Sequence, residues 1–244
     1  MSGHSKWANI KNKKAKTDAA KGKIFTKLGR EIAVAAKAGA DPNTNSKLAD
    51  VIAKAKAANM PNDNIKRSIL KATGELGNVN YENLVYEGYG IGGSAVIIKT
   101  LTDNVNRTYT DVKVAFGRNG FKLGVSGCVA HSFNNVALFT FKGHTDEEVL
   151  DTLMMADCEV NDVEMDEEYV TVYAPNTEYS KIRQALVDAF GEIEFDEDDT
   201  TWLPQDYVTL DEEGMRKFNN FEAALDEIED VQEFYHNVTR GSEE

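Results

Sequence analysis

The apolar residues of this chain change their spacing once, near residue 80, and that change limits the architecture more than any motif does. Before it they recur at helical intervals. Ile24, Phe25, Leu28, Ile32, Ala35 and Ala36 form one stripe, Leu48, Val51, Ile52 and Ala55 a second, and Ile65, Ile69 and Leu70 a third. Thr17 or Asp18 can cap the first helix, which is predicted to run to about Ala38 with Gly39 as its stop. Asn45 or Ser46 caps the second, to about Asn59, and Pro61 and Asn62 open the third, which Gly74 ends. Three short amphipathic helices bury a common core only as a small bundle.

After Tyr81 the pattern becomes strands and helices in alternation. "SAVIIKTLT" (94–102) predicts a strand, Asp103 or Asn104 caps a helix to about Arg118, and a further strand is expected around 121–130. "VALFTF" (136–141), a helix over 145–157 capped by Thr145, a hairpin of "CEVNDVEM" and "EYVTVYAP", a helix over 178–190 and a strand over 192–199 follow. That order, β-α-β-β-α-β, is the split βαβ pattern. "YVTL" (207–210), a helix over 211–229 and "VQEFYHN" (231–237) complete the chain. The first and last β-α-β pieces are each too small to hold a sheet alone, so they are predicted to pair. The expectation is an α+β protein: an N-terminal helical bundle and two split-βαβ (ferredoxin-like) domains, one inserted into the other. The expected boundaries are 1–79, 80–131 plus 201–240, and 132–200.

Charge is distributed as unevenly as periodicity. Residues 1–75 carry 16 Lys and Arg against 6 Asp and Glu, so +10, and residues 76–142 carry 6 against 4, so +2. Residues 143–244 carry 5 against 31, so -26, which is why the whole chain stands at -14. Charges on separate domains lie beyond a Debye length of about 8 Å, so each part presents its own field. A basic end on an acidic chain points to a polyanion as partner.

Other classes find little support. The longest apolar runs fall far short of the roughly 18 residues that span a bilayer, and no secretory leader is read at the N-terminus. Cys128 and Cys158 have neither metal spacing nor a disulfide framework, which with the rest predicts a cytoplasmic protein. "GYGIGGSA" (88–95) precedes a strand, whereas a phosphate loop follows one and opens a helix, so it is predicted to be a turn. His4, His131, His144 and His236 are scattered, Cys128 and His131 form at most half a metal site, and "GVSG" does not complete a nucleophile elbow. The acidic clusters at 166–168 and 196–199 lack the spacing of a calcium loop. No catalytic residue, metal, cofactor, small-molecule substrate or membrane partner is predicted.

One block does carry chemistry. Residues 5–30 hold eight Lys and one Arg: Lys6, Lys11, Lys13, Lys14, Lys16, Lys21, Lys23, Lys27 and Arg30, with Trp7 and Asn9 among them. Dense positive charge displaces condensed counterions from a nucleic acid, and an aromatic ring and amides add stacking and hydrogen bonding. A solvated basic helix start is the plainer alternative. An interfacial membrane helix would need Phe and Leu that the lead lacks. Arg107, in the first turn of a helix whose dipole disfavours cations, is either paired with Asp103 or Asp111 or set to meet a partner's phosphate.

"GHSKWANIK", "AAKGKIFTKLGREI", "DPNTN", "KAKAANMPNDNIKR", "YEGYGIGG" and "LTDNVNRT" resemble the YebC/PmpR family over nearly the whole chain. Many members have Arg where Val105 stands, Gly where Phe121 stands and Ser where Cys128 stands, and the Val105 form resembles a distinct branch. The resemblance implies a helical first domain and two α+β domains, one inserted in the other. It implies a DNA-binding transcriptional regulator in the cytoplasm or, as in other members, a translation factor that associates with the ribosome and relieves stalling at proline runs. Such a factor would bind ribosomal or transfer RNA. Neither role needs an enzyme active site. The absence of a helix read as a base-reading element favours phosphate-led binding.

Overall fold

The computed structural model describes residues 21–74 and 79–239. The N-terminal helices are α1 (Lys21–Ala36), α2 (Ser46–Ala57) and α3 (Asn62–Thr73). Ile32, Ala35, Ala36, Leu48, Ala55, Met60 and Ile65 form their shared core, with Phe25, Leu28, Val51, Ile52 and Ile69 packed around it. Asn45 couples two of these helices. Its Oδ1 accepts from Leu48 N at 3.1 Å, capping α2, while its amide donates to the carbonyls of Ala35 and Gly39 at the end of α1. Gly74 adopts φ 84°, the left-handed conformation that ends α3 at little steric cost. The predicted start of α1 at Thr17 or Asp18 lies outside the described residues, and α1 ends at Ala36, two residues short of expectation.

The next sheet has strands β1 (Glu82–Tyr89), β2 (Ala95–Thr102), β3 (Lys122–Leu123) and β8 (Val231–His236), in the order β3-β1-β2-β8 and antiparallel throughout. Helices α4 (Val105–Arg118) and α7 (Glu212–Asp226) complete it. Phe121 stacks on Phe221 with ring centroids 4.1 Å apart, and Phe116 meets Phe221 edge-on at 4.9 Å. Val96, Ile98, Val112 and Leu225 fill in around these rings. Two expectations are corrected here. "YVTL" (207–210) is not a sheet strand: Val208 makes only an isolated parallel bridge to Val238. The missing strand is Glu82–Tyr89, hidden in the sequence by its Asn, Glu and Gly residues. In addition, the strand expected over 121–130 shrinks to two residues.

The glycines of "GYGIGG" make room for this core. A Cβ on Gly88 would stand 2.3 Å from a Phe116 ring carbon, and one on Gly90 would stand 2.0 Å from a Phe121 ring carbon. Residues 91–93 then turn the chain from β1 into β2. The segment is therefore a packing turn between strands, as its position before a strand predicts.

Residues 131–207 form a second compact unit, apart from described residues 21–130 with 208–239. It comprises β4 (Phe133–Lys142), α5 (Asp146–Met155), β5 (Asp162–Asp166), β6 (Tyr169–Pro175), α6 (Tyr179–Phe190) and β7 (Phe195–Pro204), with sheet order β5-β6-β4-β7. Thr145 and Glu148 form a reciprocal capping box at the start of α5. Ala137, Phe139, Phe141, Val149, Leu153, Val170, Val172, Ile182 and Leu186 fill the space between sheet and helices. Strand β7 lies three to five residues later than its expected 192–199.

The fold is α+β: a helical bundle followed by two split-βαβ sandwiches, one inserted into the other. Both sheets have the same spatial plan. In the inserted unit each strand takes its place in chain order. In the other sheet the chain's first strand, β1, occupies the place that a strand following β3 would take. The chain between β3 and α7 is where residues 131–207 are inserted.

Candidate nucleic-acid interface

The predicted interface residues divide into three groups. Lys6, Trp7, Asn9, Lys11, Lys13, Lys14 and Lys16 lie outside the described residues, as does the side chain of Lys21. Lys23 and Lys27 are half-buried on α1. Lys23 Nζ stands 2.5 Å from Glu227 Oε1, and Lys27 Nζ donates to the Gln232 carbonyl at 3.1 Å. Burial pushes the Lys27 ammonium below its ordinary pKa, against the pull of Asp226, Glu233 and Glu31. Both ammoniums tie the bundle to the end of α7 and the start of β8.

Arg30 and Arg107 are both held in ion pairs within the fold. The Arg30 guanidinium is buried and donates to Asp230 Oδ1 at 2.6 Å, to the Leu101 carbonyl at 3.1 Å and to the Glu229 carbonyl at 2.7 Å. Arg107 Nη2 reaches Asp103 Oδ1 at 2.8 Å and Asp230 Oδ2 at 2.9 Å, the pairing that was the alternative to a phosphate contact. Thr108 Oγ1 donates to Asp230 Oδ2 at 2.6 Å, and Thr102 Oγ1 lies at 3.2 Å. Asp230 is thus a carboxylate only 3% exposed that joins α1, β2, α4 and the start of β8. Burial works to raise its pKa, but the Thr108 hydroxyl, the Arg107 hydrogen bonds and the Arg30 charge outweigh it and hold the pKa below the ordinary value. An arginine committed to such a buried pair has no fork left for a phosphate. Arg30 is thus largely occupied by this pair, whereas the Arg107 side chain stays 45% exposed.

The cleft beside Arg107, about 590 Å³, does not act as an anion funnel. Arg107 and Arg118 line it together with Asp111, Glu227, Glu229 and Asp230, so both signs of charge face the same space.

A further group of solvent-facing cations lies on α2 and α3, outside the block from Lys6 to Arg30. Lys47, Lys54 and Lys56 are exposed on α2, and Lys66, Arg67 and Lys71 on α3. Leu48 and Ala55 point α2 inward and Ile65 and Ser68 point α3 inward, which turns these side chains out. Lys47, Lys56, Lys66, Arg67 and Lys71 have no carboxylate partner among the described residues. The signal was available, since residues 46–74 hold six Lys and Arg against Asp50 and Asp63. It was masked by the denser block before it. Helix α3 also carries Asn62, Asn64 and Arg67 in its first two turns.

Residues 5–75 match the family described as "TACO1/YebC protein N-terminal domain", and residues 81–238 match "TACO1/YebC second and third domain". The chain belongs to the TACO1/YebC family. A relative in Clostridium botulinum (strain Eklund 17B / Type B), named a probable transcriptional regulatory protein, is 49% identical over 241 residues, 98% of this chain and 97% of its own. One in Alcanivorax borkumensis, with the same name, is 44% identical over 236 residues, 96% of this chain and 98% of its own. The crystal structure of a conserved hypothetical protein from Aquifex aeolicus is 36% identical, with a TM-score of 0.78, covering 98% of this chain and all of that one. Within this family fold, Val105 is part-exposed in the first turn of α4, whereas Phe121 and Cys128 each lean on a glycine. A Cβ on Gly124 would stand 2.4 Å from Cys128 Sγ, as one on Gly90 would meet Phe121.

Among the described residues no helix is long and apolar enough to cross a membrane, and no group of His, Cys, Asp and Glu is placed to hold a metal ion.

Proposed function

We infer that this protein is a non-enzymatic, cytoplasmic regulator of gene expression that grips nucleic acid by its phosphates through the N-terminal helical domain. This rests on the solvent-facing set Lys47, Lys56, Lys66, Arg67 and Lys71 on α2 and α3, which has no carboxylate partner among the described residues. The Lys block before it extends the same charge. Lysine supplies point charges that hold phosphates without reading bases. The names of the relatives support regulation of transcription, a role for which DNA is the partner we propose. The predominance of Lys favours the second reading, a ribosome-associated translation factor that binds ribosomal or transfer RNA, while Asn62, Asn64 and Arg67 on α3 favour some contact with bases.

Fluorescence anisotropy with single-stranded RNA and duplex DNA tests the phosphate grip. Six to eight phosphate contacts predict a log–log salt slope of roughly -4 to -6 on a single strand, and a flat response rejects the reading. The triple variant Lys66→Glu, Arg67→Glu, Lys71→Glu is expected to weaken binding to all sequences at least about tenfold. Loss confined to one sequence would place base readout above phosphate contact. Cross-linking in cells and sequencing of the bound nucleic acid separates promoter DNA from ribosomal or transfer RNA.

A further inference from the structure

The phosphate grip leaves the inserted unit without a task, yet its surface is not uniform. Residues 131–207 hold 20 Asp and Glu against 3 Lys and Arg, a net -17. On this acidic unit the exposed large apolar side chains are Leu150, Met154, Met155, Met165 and Tyr207. Four of these five sit on α5 and on β5, the strand that α5 packs against. Met155 is 90% exposed, Met154 65%, Met165 46% and Leu150 40%.

Helix α5 shows why this face is unpartnered. Val149 and Leu153 are fully buried and satisfy the core, and the capping box secures the first turn. Leu150 and Met154, four residues apart, then fall on the outer surface together with Glu147 and Asp151. Among the described residues strand β5 is an edge strand, paired with β6 alone, and Met165 stands on the same face as Val163, which packs on the core. Methionine is flexible and polarizable, and surfaces rich in it accept apolar side chains of varied shape. Single exposed apolar residues are ordinary, but a concentration on one helix and its neighbouring strand marks a contact surface.

We propose that the outer face of α5 with Met165 of β5 is a docking surface for a Lys- and Arg-rich amphipathic helix of another protein. Charge complementarity decides the occupant. A unit of net -17 repels a nucleic-acid backbone and an anionic bilayer alike, and it draws in a cationic chain. The apolar centre requires more than charge: Leu150, Met154, Met155 and Met165 need an apolar stripe spaced at i, i+4 and i+7. The Lys block of this chain supplies the charge without the stripe, since residues 5–16 offer only Trp7 and Ile10 as large apolar groups. A second copy of this unit brings a further -17 to the same place.

The test uses the full-length protein and two fluorescein-labelled peptides of about five helical turns, made of Lys and Leu alone. One peptide gathers every Leu on one helical face, and the other has the same composition with Leu spread around the helix. The gathered peptide is expected to bind at least about tenfold more tightly than the spread one, and Met154→Ser with Met155→Ser is expected to abolish that difference. Glu147→Lys with Asp151→Lys is expected to weaken both peptides. These side chains are exposed, but Glu147→Lys sets a cation in the first turn of α5, so circular dichroism and the urea midpoint of each variant are matched to the parent before affinities are compared. Equal affinity for the two peptides would reduce the surface to unspecific charge and overturn the proposal. So would unchanged peptide binding in the Met154→Ser, Met155→Ser protein, or an effect of that variant confined to self-association in sedimentation.

Discussion

The two sandwiches of this protein share one spatial plan and assemble it from different stretches of chain. The inserted unit draws every strand from residues 131–207, so even its most distant sheet partners, Phe133 and Pro204, belong to one unbroken stretch of chain. The other sheet sets β8 beside β2, more than 130 residues away. Closing so long a loop carries an entropic cost that grows slowly with length, about 0.6 kcal/mol per doubling. The extra demand is therefore less on closure than on specificity: β8 must be recognised when it arrives. Asp230, one residue before β8, meets that demand through Arg30, Arg107, Thr102 and Thr108. The locally wired sandwich has no such buried ionic junction among its described contacts and is organised by apolar packing and one capping box.

This contrast breaks most sharply at Asp230. Asp230→Ala removes the buried carboxylate partner of Arg30 and leaves it two backbone carbonyls and the exposed Glu229 carboxylate at 3.5 Å, which is expected to cost about 3–5 kcal/mol. Urea unfolding followed by hydrogen exchange should show the loss in the β1-β2-β8 sheet while amides of β4 and β6 keep their protection. Equal loss in both sheets would mean that the two sandwiches unfold as one.

Acid and alkali should separate the same two regions. The Asp230 carboxyl is held below its ordinary pKa. Its contribution is therefore present above the unfolded carboxylate value, about 3.9, and is lost as pH falls through the lower folded value. Burial and Glu164 push the Tyr173 hydroxyl well up, and burial and Asp198 do the same to Tyr179. Both contribute fully below the unfolded tyrosine value, about 10, and lose that contribution as pH rises toward their folded values. Exchange at acid pH should thus accelerate first around β8, and at alkaline pH first around β6 and α6.

Smaller changes sharpen the comparison. Gly90→Ala drives a methyl group into the Phe121 ring and is expected to cost about 1–3 kcal/mol in the interrupted sandwich alone. Thr145→Ala removes half of the capping box of α5 and is expected to cost about 1 kcal/mol in the inserted unit alone, read as a shift in the urea midpoint at constant slope. A midpoint that stays put would show that the apolar face of α5 suffices to hold it.

Legibility in the sequence followed the same divide. The bundle and the inserted sandwich could be read from periodicity because their stripes and alternations are local: Ile32 with Ala36, and Phe139 with Phe141. Strand β1 could not, since "ENLVYEGY" owes its place to distant partners. Glu87 is buried on it because its carboxylate accepts the backbone amides of Gly127, Val129 and Ala130, some 40 residues on. Gly88 is there because Phe116 lies against it. At the candidate interface, positive charge was legible as a count, but its division was not. Arg30 and Lys66 look alike in sequence, and only the position of Asp230 turns one inward to hold the fold and leaves the other for solvent.

The inserted unit leaves and re-enters the chain along neighbouring strands. Phe133 on β4 is in register with Pro204 on β7, and Gln205 N donates to the Ser132 carbonyl at 2.9 Å. Its two ends are thus one strand spacing apart, about 4.8 Å. A two-residue turn can bridge such a gap as easily as an entire sandwich can. Replacing residues 133–204 with a two-residue turn is therefore expected to leave the β1-β2-β3-β8 sheet able to fold, which circular dichroism and a urea midpoint of the shortened chain would check.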